Sequence, residues 1–227
     1  MTKMIKRAVV IGATGLVGRA LLKQLNKIES CEQIVAIVRQ EDPELKTLKK
    51  VEQLVVNDFL LLNDQDVANF SHAFSCLGTT IKKAGSKANF YAIDFEINVH
   101  FADLFEATDT HYLLVSAQGA NEASLFFYNQ VKGELEQHLI QSELSCISIF
   151  RPSLLMGKRD ESRPLEELSQ TVFKGLSHFI PDTFKYKPVT AEQVAHTMVE
   201  VSQTQTEKLR IYDNLEIQQK RASSNVC

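Results

Sequence analysis

Short runs of β-branched and apolar residues alternate with amphipathic stretches through the first two thirds of the chain. The short runs predict β-strands, and apolar residues that recur every three or four positions predict α-helices. Strands are predicted from Arg7 to the first glycine and over 33–38, 51–56, 72–76, 112–116 and 145–150, and later helices over 89–108 and 125–141. The alternation predicts an α/β fold with a doubly wound, mostly parallel sheet and helices on both faces.

The pattern loosens after residue 150. Residues 158–164 are polar and predict a loop, and a helix is predicted over 164–174. Thr190 and Gln193 form a capping-box pattern that predicts the start of another helix, and 209–212 predicts a last strand. We therefore expect one domain over 1–217, in which 151–217 form a small C-terminal extension on the substrate side, followed by a disordered tail over 218–227.

The first strand runs into a turn that contains three glycines. Gly12 would let the chain turn sharply, Gly15 would let backbone N–H groups approach a pyrophosphate, and Gly18 would let the next helix pack closely. The N-terminus of that helix adds unpaired N–H donors. The turn predicts a Rossmann-type dinucleotide site, with an ordinary strand–turn–helix as the alternative. The predicted cofactor contacts in it are Gly12, Thr14, Gly15, Leu16, Val17 and Gly18.

Composition limits the classes of binding partner and the cellular compartment that we expect for this chain. The chain has 227 residues and a net charge of −3, which favours neither nucleic acid nor an anionic membrane as a partner. No apolar run approaches the roughly 18 residues that span a bilayer, and the N-terminus has no signal-peptide pattern. The four cysteines lack metal-ligand spacing, so no metal site is expected. Their usage predicts a reducing, cytoplasmic location.

Arg39 follows the second predicted strand, where an NAD-dependent enzyme would usually place an acidic residue. A guanidinium at this position could pair with the 2′-phosphate of NADP. The sequence therefore favours NADP over NAD as the cofactor. The alternative is that Arg39 is an ordinary solvated loop residue.

Tyr128 and Lys132 are four residues apart in a predicted helix and so share one face. An ammonium beside a phenol favours the phenolate and would lower the tyrosine pKa, which suits general acid–base catalysis on a carbonyl or alcohol. Ser116, at the end of the fifth predicted strand, could polarise the same carbonyl. Read alone, the tyrosine could equally be a core residue and the serine a loop cap.

Taken together, these residues resemble the short-chain dehydrogenases/reductases. The resemblance is greatest to the atypical branch that contains the Tat-interacting oxidoreductase and its bacterial relatives. It covers about residues 5–200. The segments that carry it are Cys76-Leu-Gly-Thr-Thr80, Ser116-Ala-Gln-Gly-Ala120, Tyr128-Asn-Gln-Val-Lys-Gly-Glu134, Phe150-Arg-Pro152 and Glu161-Ser-Arg-Pro164.

The resemblance implies a role for each matching residue. Tyr128 would donate the proton, Lys132 would bind the nicotinamide ribose and tune Tyr128, and Ser116 would hold the substrate oxygen. Asp58 would contact the adenine. Further cofactor contacts are expected at Phe59, Leu77, Gly78, Thr79, Arg151 and Pro152. Two departures stand out: Ala117 replaces a second serine, and the short C-terminal part could not close a large substrate pocket. Asn98 resembles an asparagine of some extended family members, but it is expected to be a helix-surface or capping amide outside the catalytic set.

Three functions are compatible with these residues. The first is an NADP-dependent oxidoreductase that transfers a hydride to or from a small carbonyl or alcohol substrate. The second is a non-catalytic NADP(H)-binding regulatory or assembly protein. The third, a sugar-nucleotide epimerase, is disfavoured by the short C-terminal part. The substrate and the oligomeric state stay open, a homodimer being one option. Candidate apolar lining residues are Phe126, Phe127, Met156, Phe173 and Phe179.

Overall fold

A computed structural model describes residues 4–156 and 185–220. The strands in chain order are β1 (Arg7–Ile11), β2 (Gln33–Val38), β3 (Val51–Val55), β4 (His72–Ser75), β5 (His111–Val115), β6 (Cys146–Phe150), β7 (Leu155–Met156), β8 (Val189–Thr190) and β9 (Leu209–Tyr212). Seven of them form one sheet in the order β3-β2-β1-β4-β5-β6-β9, and every pairing in it is parallel. β7 and β8 pair separately. The Rossmann-type fold is confirmed.

The helices are α1 (Leu16–Leu25), α2 (Ile81–Ala84), α3 (Lys87–Tyr91), α4 (Ile97–Asp103), α5 (Phe127–Gln141), α6 (Ala191–Thr204) and α7 (Asn214–Gln219). A π-helical turn, Ala92–Glu96, joins α3 to α4. Short 3₁₀ turns cover Leu45–Thr47 and Phe59–Leu61. None of the described helices is long and apolar enough to cross a membrane.

The sheet is apolar on both faces because successive side chains of a strand point to opposite sides. In β1, Ala8 and Val10 belong to the core beneath α1 and α6, whereas Val9 and Ile11 belong to the core beneath α4 and α5. Each fully buried aliphatic side chain stabilises the fold by about 1.5–3 kcal/mol. The central strands are therefore fixed from both sides, and their carboxyl ends form a rigid edge.

The chain reverses its winding direction between β1 and β4, which lie side by side at the centre of the sheet. Ligands of open parallel sheets bind at the carboxyl ends of the strands on either side of such a point. In this protein those ends lead into the glycine turn after β1 and into the loop that follows β4. The topology thus selects one edge of the molecule for the site.

Several predicted boundaries change. The long helix predicted over 89–108 runs from Lys87 to Asp103 and contains the π turn. The capping box of Thr190 and Gln193 is present. α7 continues to Gln219, so the tail predicted from residue 218 starts inside a helix. Residues 221–227, the predicted loop over 158–164 and the predicted helix over 164–174 lie outside the described residues.

Candidate functional site

The glycine turn is shaped by the close approach of a second chain segment. Gly12 has a φ of +73°, and a Cβ on it would lie 2.5 Å from both the Cys76 carbonyl oxygen and the Leu77 nitrogen. A Cβ on Gly18 would lie 2.9 Å from the Cα of Ala13. Gly15 immediately precedes α1, and its N–H donates to the Gly12 carbonyl at 3.0 Å. Gly12 and Gly18 therefore leave no room for a side chain, as the predicted cofactor turn requires.

A cavity of about 640 Å³ opens beside this turn and extends over the ends of β2 and β3. Five predicted cofactor residues line it: Gly12, Thr14, Arg39, Phe59 and Leu77. Val17 instead packs into the core, so its side chain faces away from the cavity. The cavity has room for part of a nucleotide, and the glycines leave its backbone surface open. The residues present therefore fit one end of a dinucleotide.

Among the described residues, Arg39 is the cationic side chain that lines this cavity. Its side chain is exposed and has no ion-pair partner in the described part of the chain. The acidic residues around it are already paired. Glu41 lies 2.6 Å from Lys46, whose hydrogen bond and charge lower the pKa of Glu41. Asp42 lies 2.5 Å from Arg19. The cavity therefore offers an unpaired guanidinium to an anionic group of the ligand.

Asp58, predicted to contact adenine, has a local role. Its carboxylate accepts the Leu60 N–H at 3.0 Å and caps the 3₁₀ turn that begins at Phe59. Asp58 does not line the cavity, whereas its neighbours Asn57 and Phe59 do. A short acidic side chain before a turn is a frequent N-cap, which explains this position without a ligand.

Tyr128 and Lys132 occupy the first two turns of α5. The Tyr128 ring is partly buried and lies 5.5 Å, centre to centre, from the Phe90 ring. Its hydroxyl makes no hydrogen bond within the described part of the chain. The Lys132 ammonium is buried and lies 2.8 Å from Oδ1 of Asp94. The tyrosine thus has a free hydroxyl, and the lysine has a buried counter-charge.

The acidity of Tyr128 differs from the sequence-based expectation. Burial raises the pKa of Tyr128 above its usual value, because a phenolate is poorly solvated inside the protein. The Lys132 charge lowers this pKa, as expected, but the Asp94 charge raises it. The net direction is upward. Without ligand, Tyr128 is therefore a protonated phenol at neutral pH.

The loop after β4 connects the turn to α5. Leu77 lines the cavity, and a Cβ on Gly78 would lie 3.1 Å from Asp94 Oδ1 and 3.4 Å from Lys132 Nζ. The Thr79 N–H donates to Asp94 Oδ2 at 2.8 Å. The glycine turn therefore lies against the loop after β4, and that loop lies against the first half of α5.

The Ser116 hydroxyl donates to Oε1 of Glu136 at 2.5 Å, and Glu136 is buried and paired with Arg151. The Arg151 Nε lies 3.0 and 3.1 Å from the two Glu136 oxygens. In the structure without ligand, the single proton of Ser116 is thus donated to this network, whereas the sequence predicted a contact with the substrate oxygen. Arg151, expected beside the nicotinamide, holds Glu136, and the adjoining Pro152 carbonyl accepts the Gln118 N–H at 2.8 Å.

We expect Arg151→Met to lower the free energy of unfolding by about 2 kcal/mol, because it leaves the Glu136 carboxylate buried without its cation. Arg210→Met is the matched control. Arg210 pairs with Glu216 at 3.1 Å, but both side chains are solvent-exposed, so the loss should stay below about 1 kcal/mol. Urea unfolding of both variants measures the difference. Equal losses would contradict a structural role for the buried pair.

Three polar residues gain roles that the sequence-based reasoning missed. Asp94 and Glu136 are buried acids. Asp94 stands between apolar residues of the chain, and that position was the available signal, whereas Glu136 lies in a mostly polar helix that gave none. Asn98 is fully buried rather than at the helix surface. Its Nδ2 donates to the Ile93 carbonyl at 3.0 Å, which closes the π turn, and its Oδ1 accepts the hydroxyl of Ser75 at 2.5 Å.

The loop between β5 and α5 packs tightly on the helix. A Cβ on Gly133 would lie 2.6 Å from the Cα of Asn121. Phe126, just before α5, is mostly exposed, and Phe127 is partly buried against Phe90 at 5.9 Å between ring centres. Of the other candidate lining residues, Met156 lies in β7, and Phe173 and Phe179 lie outside the described residues.

No protein-family model matches the chain. It is 35% identical over 205 residues to protein FMP52-1, mitochondrial, of Scheffersomyces stipitis, an alignment that covers 88% of this chain and 90% of that protein. It is also 35% identical over 175 residues to protein HTATIP2 of Rattus norvegicus, covering 75% and 72%. The chain belongs to the FMP52/HTATIP2 family of atypical short-chain dehydrogenases/reductases. The resemblance based on the motifs is thereby confirmed.

The expected cytoplasmic location is wrong, because it is contradicted by the FMP52 relatives of this chain. The FMP52 relatives from Scheffersomyces stipitis and Debaryomyces hansenii, 35% and 34% identical to this chain, are named as mitochondrial proteins. Cysteine usage reports only on a reducing environment. It does not distinguish the cytoplasm from a reducing compartment inside an organelle, which is why the expectation failed.

Solved structures confirm the fold of this FMP52/HTATIP2-family protein. A UDP-glucuronic acid 4-epimerase from Bacillus cereus, solved with NAD, superposes with a TM-score of 0.65 at 12% identity, over 91% of this chain and 78% of that one. A dTDP-4-dehydrorhamnose reductase from Bacillus anthracis, solved with NADP, gives 0.62 at 14%, over 99% and 82%. At such low identities, the likeness concerns the fold alone.

Proposed function

We propose that this protein is an NADP-dependent oxidoreductase that transfers a hydride to a small carbonyl substrate, with Tyr128 as the proton donor. The observation that carries the proposal is the free Tyr128 hydroxyl beside the buried Lys132 ammonium, one loop away from the glycine turn. A positioned phenol that makes no hydrogen bond to any residue the structure describes is available to a ligand atom. The same arrangement run backwards would oxidise an alcohol.

The chain's own residues would each perform one step of the reduction. When bound, the nicotinamide cofactor supplies the hydride that forms the new C–H bond at the carbonyl carbon. Tyr128 gives its hydroxyl proton to the carbonyl oxygen and becomes a phenolate, so that the product is an alcohol. Lys132 stabilises this phenolate with its positive charge.

The choice of NADP rests on Arg39. Its guanidinium lines the cavity and has no ion-pair partner in residues 4–156 and 185–220, while Glu41 and Asp42 are neutralised by other cations. A 2′-phosphate would give Arg39 a charge-assisted, bidentate contact. Structural neighbours have been solved with NAD and with NADP, so the neighbours leave this choice open.

We expect Arg39→Ala to weaken NADPH binding about 30-fold and NADH binding less than about threefold, because only NADPH carries the 2′-phosphate. Lys23→Ala is the control, since Lys23 is an exposed cation in the last turn of α1, away from the glycine turn. Isothermal titration calorimetry measures all four affinities. A parallel loss for both cofactors would contradict the assignment of Arg39.

The proposal as a whole is tested by following NADPH oxidation across a broad panel of small aldehydes and ketones. Turnover that requires Tyr128 supports it. A second candidate, a non-catalytic NADP(H)-binding regulatory or assembly protein, is favoured by one observation: the Ser116 hydroxyl is committed to Glu136. Tight NADPH binding without oxidation by any member of the panel would favour this candidate over the enzyme.

A further inference from the structure

Asp94 is a fully buried carboxylate that the proposed reaction does not use directly. It lies in the π turn between α3 and α4, and none of its surface is exposed. Oδ2 accepts the Thr79 N–H at 2.8 Å, and Oδ1 lies 2.8 Å from Lys132 Nζ. The Oδ1 contact is an ion pair without hydrogen-bond alignment, so Oδ1 has no hydrogen-bond donor among the described residues. One side chain thus joins the cofactor-side loop to the catalytic helix.

The position of Asp94 is built by the surrounding structure. A π turn inserts one extra residue into a helix and changes the direction in which the following side chains point. Here the turn is closed by Asn98, whose amide donates to the Ile93 carbonyl at 3.0 Å, and Asn98 is itself held by Ser75 at 2.5 Å. Buried polar groups therefore secure the turn that carries the carboxylate.

We propose that Asp94 is a positioning residue: it fixes the Lys132 ammonium between α5 and the loop after β4 and offsets its charge, so that Tyr128 remains the protonated donor. This inference rests on the proposed function. Asp94 acts through Lys132, and it has no exposed surface through which to touch a substrate. The pair brings compensating charges into the interior, where either one alone would be strongly unfavourable.

The charges around Tyr128 support this division of roles. Lys132 from the same helix favours the phenolate, and Asp94 from the π turn favours the phenol. From α3, the Lys87 ammonium lies 5.0 Å from the centre of the neighbouring Phe127 ring. Removing only the Asp94 charge would leave Lys132 unopposed beside Tyr128. The phenol should then lose its proton more readily.

The decisive variant is Asp94→Asn, which keeps the size of the side chain and an oxygen acceptor for Thr79. Asp103→Asn is the matched control, because Asp103 lies on α4, the helix that follows the π turn, and pairs with a base of α5, His138 at 2.7 Å, but in a largely exposed contact. The near-ultraviolet absorbance of tyrosinate is titrated with pH in each protein. The same titration with Tyr128→Phe in each background isolates the signal of Tyr128.

We expect the Tyr128 titration midpoint to fall by about one pH unit in Asp94→Asn and to stay unchanged in Asp103→Asn. Because Asp94→Asn leaves an ammonium buried without its partner, the substitution is repeated in a Lys132→Met background, where that ammonium is absent. In that background the midpoint should stay within about 0.3 unit, because Asp94 acts through Lys132 and its buried carboxylate is left without a cation. A change below about 0.3 unit with Lys132 present, or an equal fall in both backgrounds, overturns the proposal, since differences of that size carry little free energy.

The titration needs no substrate, so its outcome is separate from the fate of the proposed reaction. A lowered midpoint without turnover on any carbonyl compound would count against the reaction and would support this role of Asp94. With turnover, the pH profile gives a second readout. Reduction requires the protonated phenol, so the alkaline fall of kcat/KM should move to lower pH in Asp94→Asn, and an unmoved profile argues against the proposal.

Discussion

Tyr128→Phe should lower the rate of carbonyl reduction by roughly a hundred- to ten-thousand-fold, the range that a positioned general acid contributes. The substitution removes only the hydroxyl, and the ring keeps its contact with Phe90 at 5.5 Å. Because that hydroxyl has no internal hydrogen bond within the described residues, the free energy of unfolding should change little. The affinity for NADPH should also stay nearly constant. Steady-state kinetics, calorimetry and thermal unfolding measure the three quantities.

Tyr91→Phe is the control for this experiment. Tyr91 lies on α3 with its ring 4.8 Å from Phe95, and the charge and hydrogen bonding of Glu134 contribute, after burial, to raising the pKa of Tyr91. Losing this hydroxyl removes a side-chain interaction without touching the Tyr128–Lys132 pair. Turnover should remain within a few-fold of wild type. A Tyr128→Phe enzyme that retains more than about a tenth of wild-type turnover would refute the assigned proton donor.

Gly12→Ala should abolish the cofactor site and lower the free energy of unfolding by about 4 kcal/mol. Two costs combine. The φ of +73° is strained for alanine, and the new methyl group would lie 2.5 Å from the Cys76 oxygen and the Leu77 nitrogen. Relief requires β1 and the loop after β4 to separate, which distorts the surface that would bind the pyrophosphate. We expect NADPH affinity to fall by at least about a hundred-fold.

Gly85→Ala separates these two costs. Gly85 has a φ of +81°, close to that of Gly12, but a Cβ there would meet no atom within 4 Å. It should therefore show only the backbone cost, about 1 kcal/mol, with NADPH binding intact. Urea unfolding and calorimetry compare the two variants. Equal losses of stability in Gly12→Ala and Gly85→Ala, with normal NADPH binding in both variants, would contradict the role of the close approach at Gly12 in the cofactor site.

Local patterns sufficed for much of the fold. The parallel strands, the capped start of α6 and the glycine turn depend on side-chain periodicity and on backbone preferences, which act between neighbours in sequence. β1 illustrates this, because its continuous apolar run reflects burial on both faces. The π turn was not predictable in this way. It is secured by Asn98 and Ser75, which are far apart in sequence and meet only in the folded protein.

The site was predicted in outline, but its electrostatics were not. Spacing correctly placed Tyr128 and Lys132 on one helix, yet it could not reveal that Lys132 faces a buried acid from another helix. For the same reason, the sequence indicated a free Ser116 hydroxyl, whereas the fold gives that hydroxyl to Glu136. Charge partners of buried groups are determined by tertiary contacts, so the direction of the Tyr128 pKa could not follow from the motif alone.

Helix α5 carries three of its polar residues in one row at intervals of four: Tyr128, Lys132 and Glu136. They face, respectively, the expected substrate position, the Asp94 carboxylate, and the network of Ser116 and Arg151. One residue inserted or deleted between Tyr128 and Glu136 would rotate the two ends of this row by about 100° relative to each other, so that the three side chains could not keep all their contacts. We therefore expect selection against changes in chain length in this part of α5. Divergence in substrate range would have to arise in the loops at either end of the helix, where insertions leave the row intact.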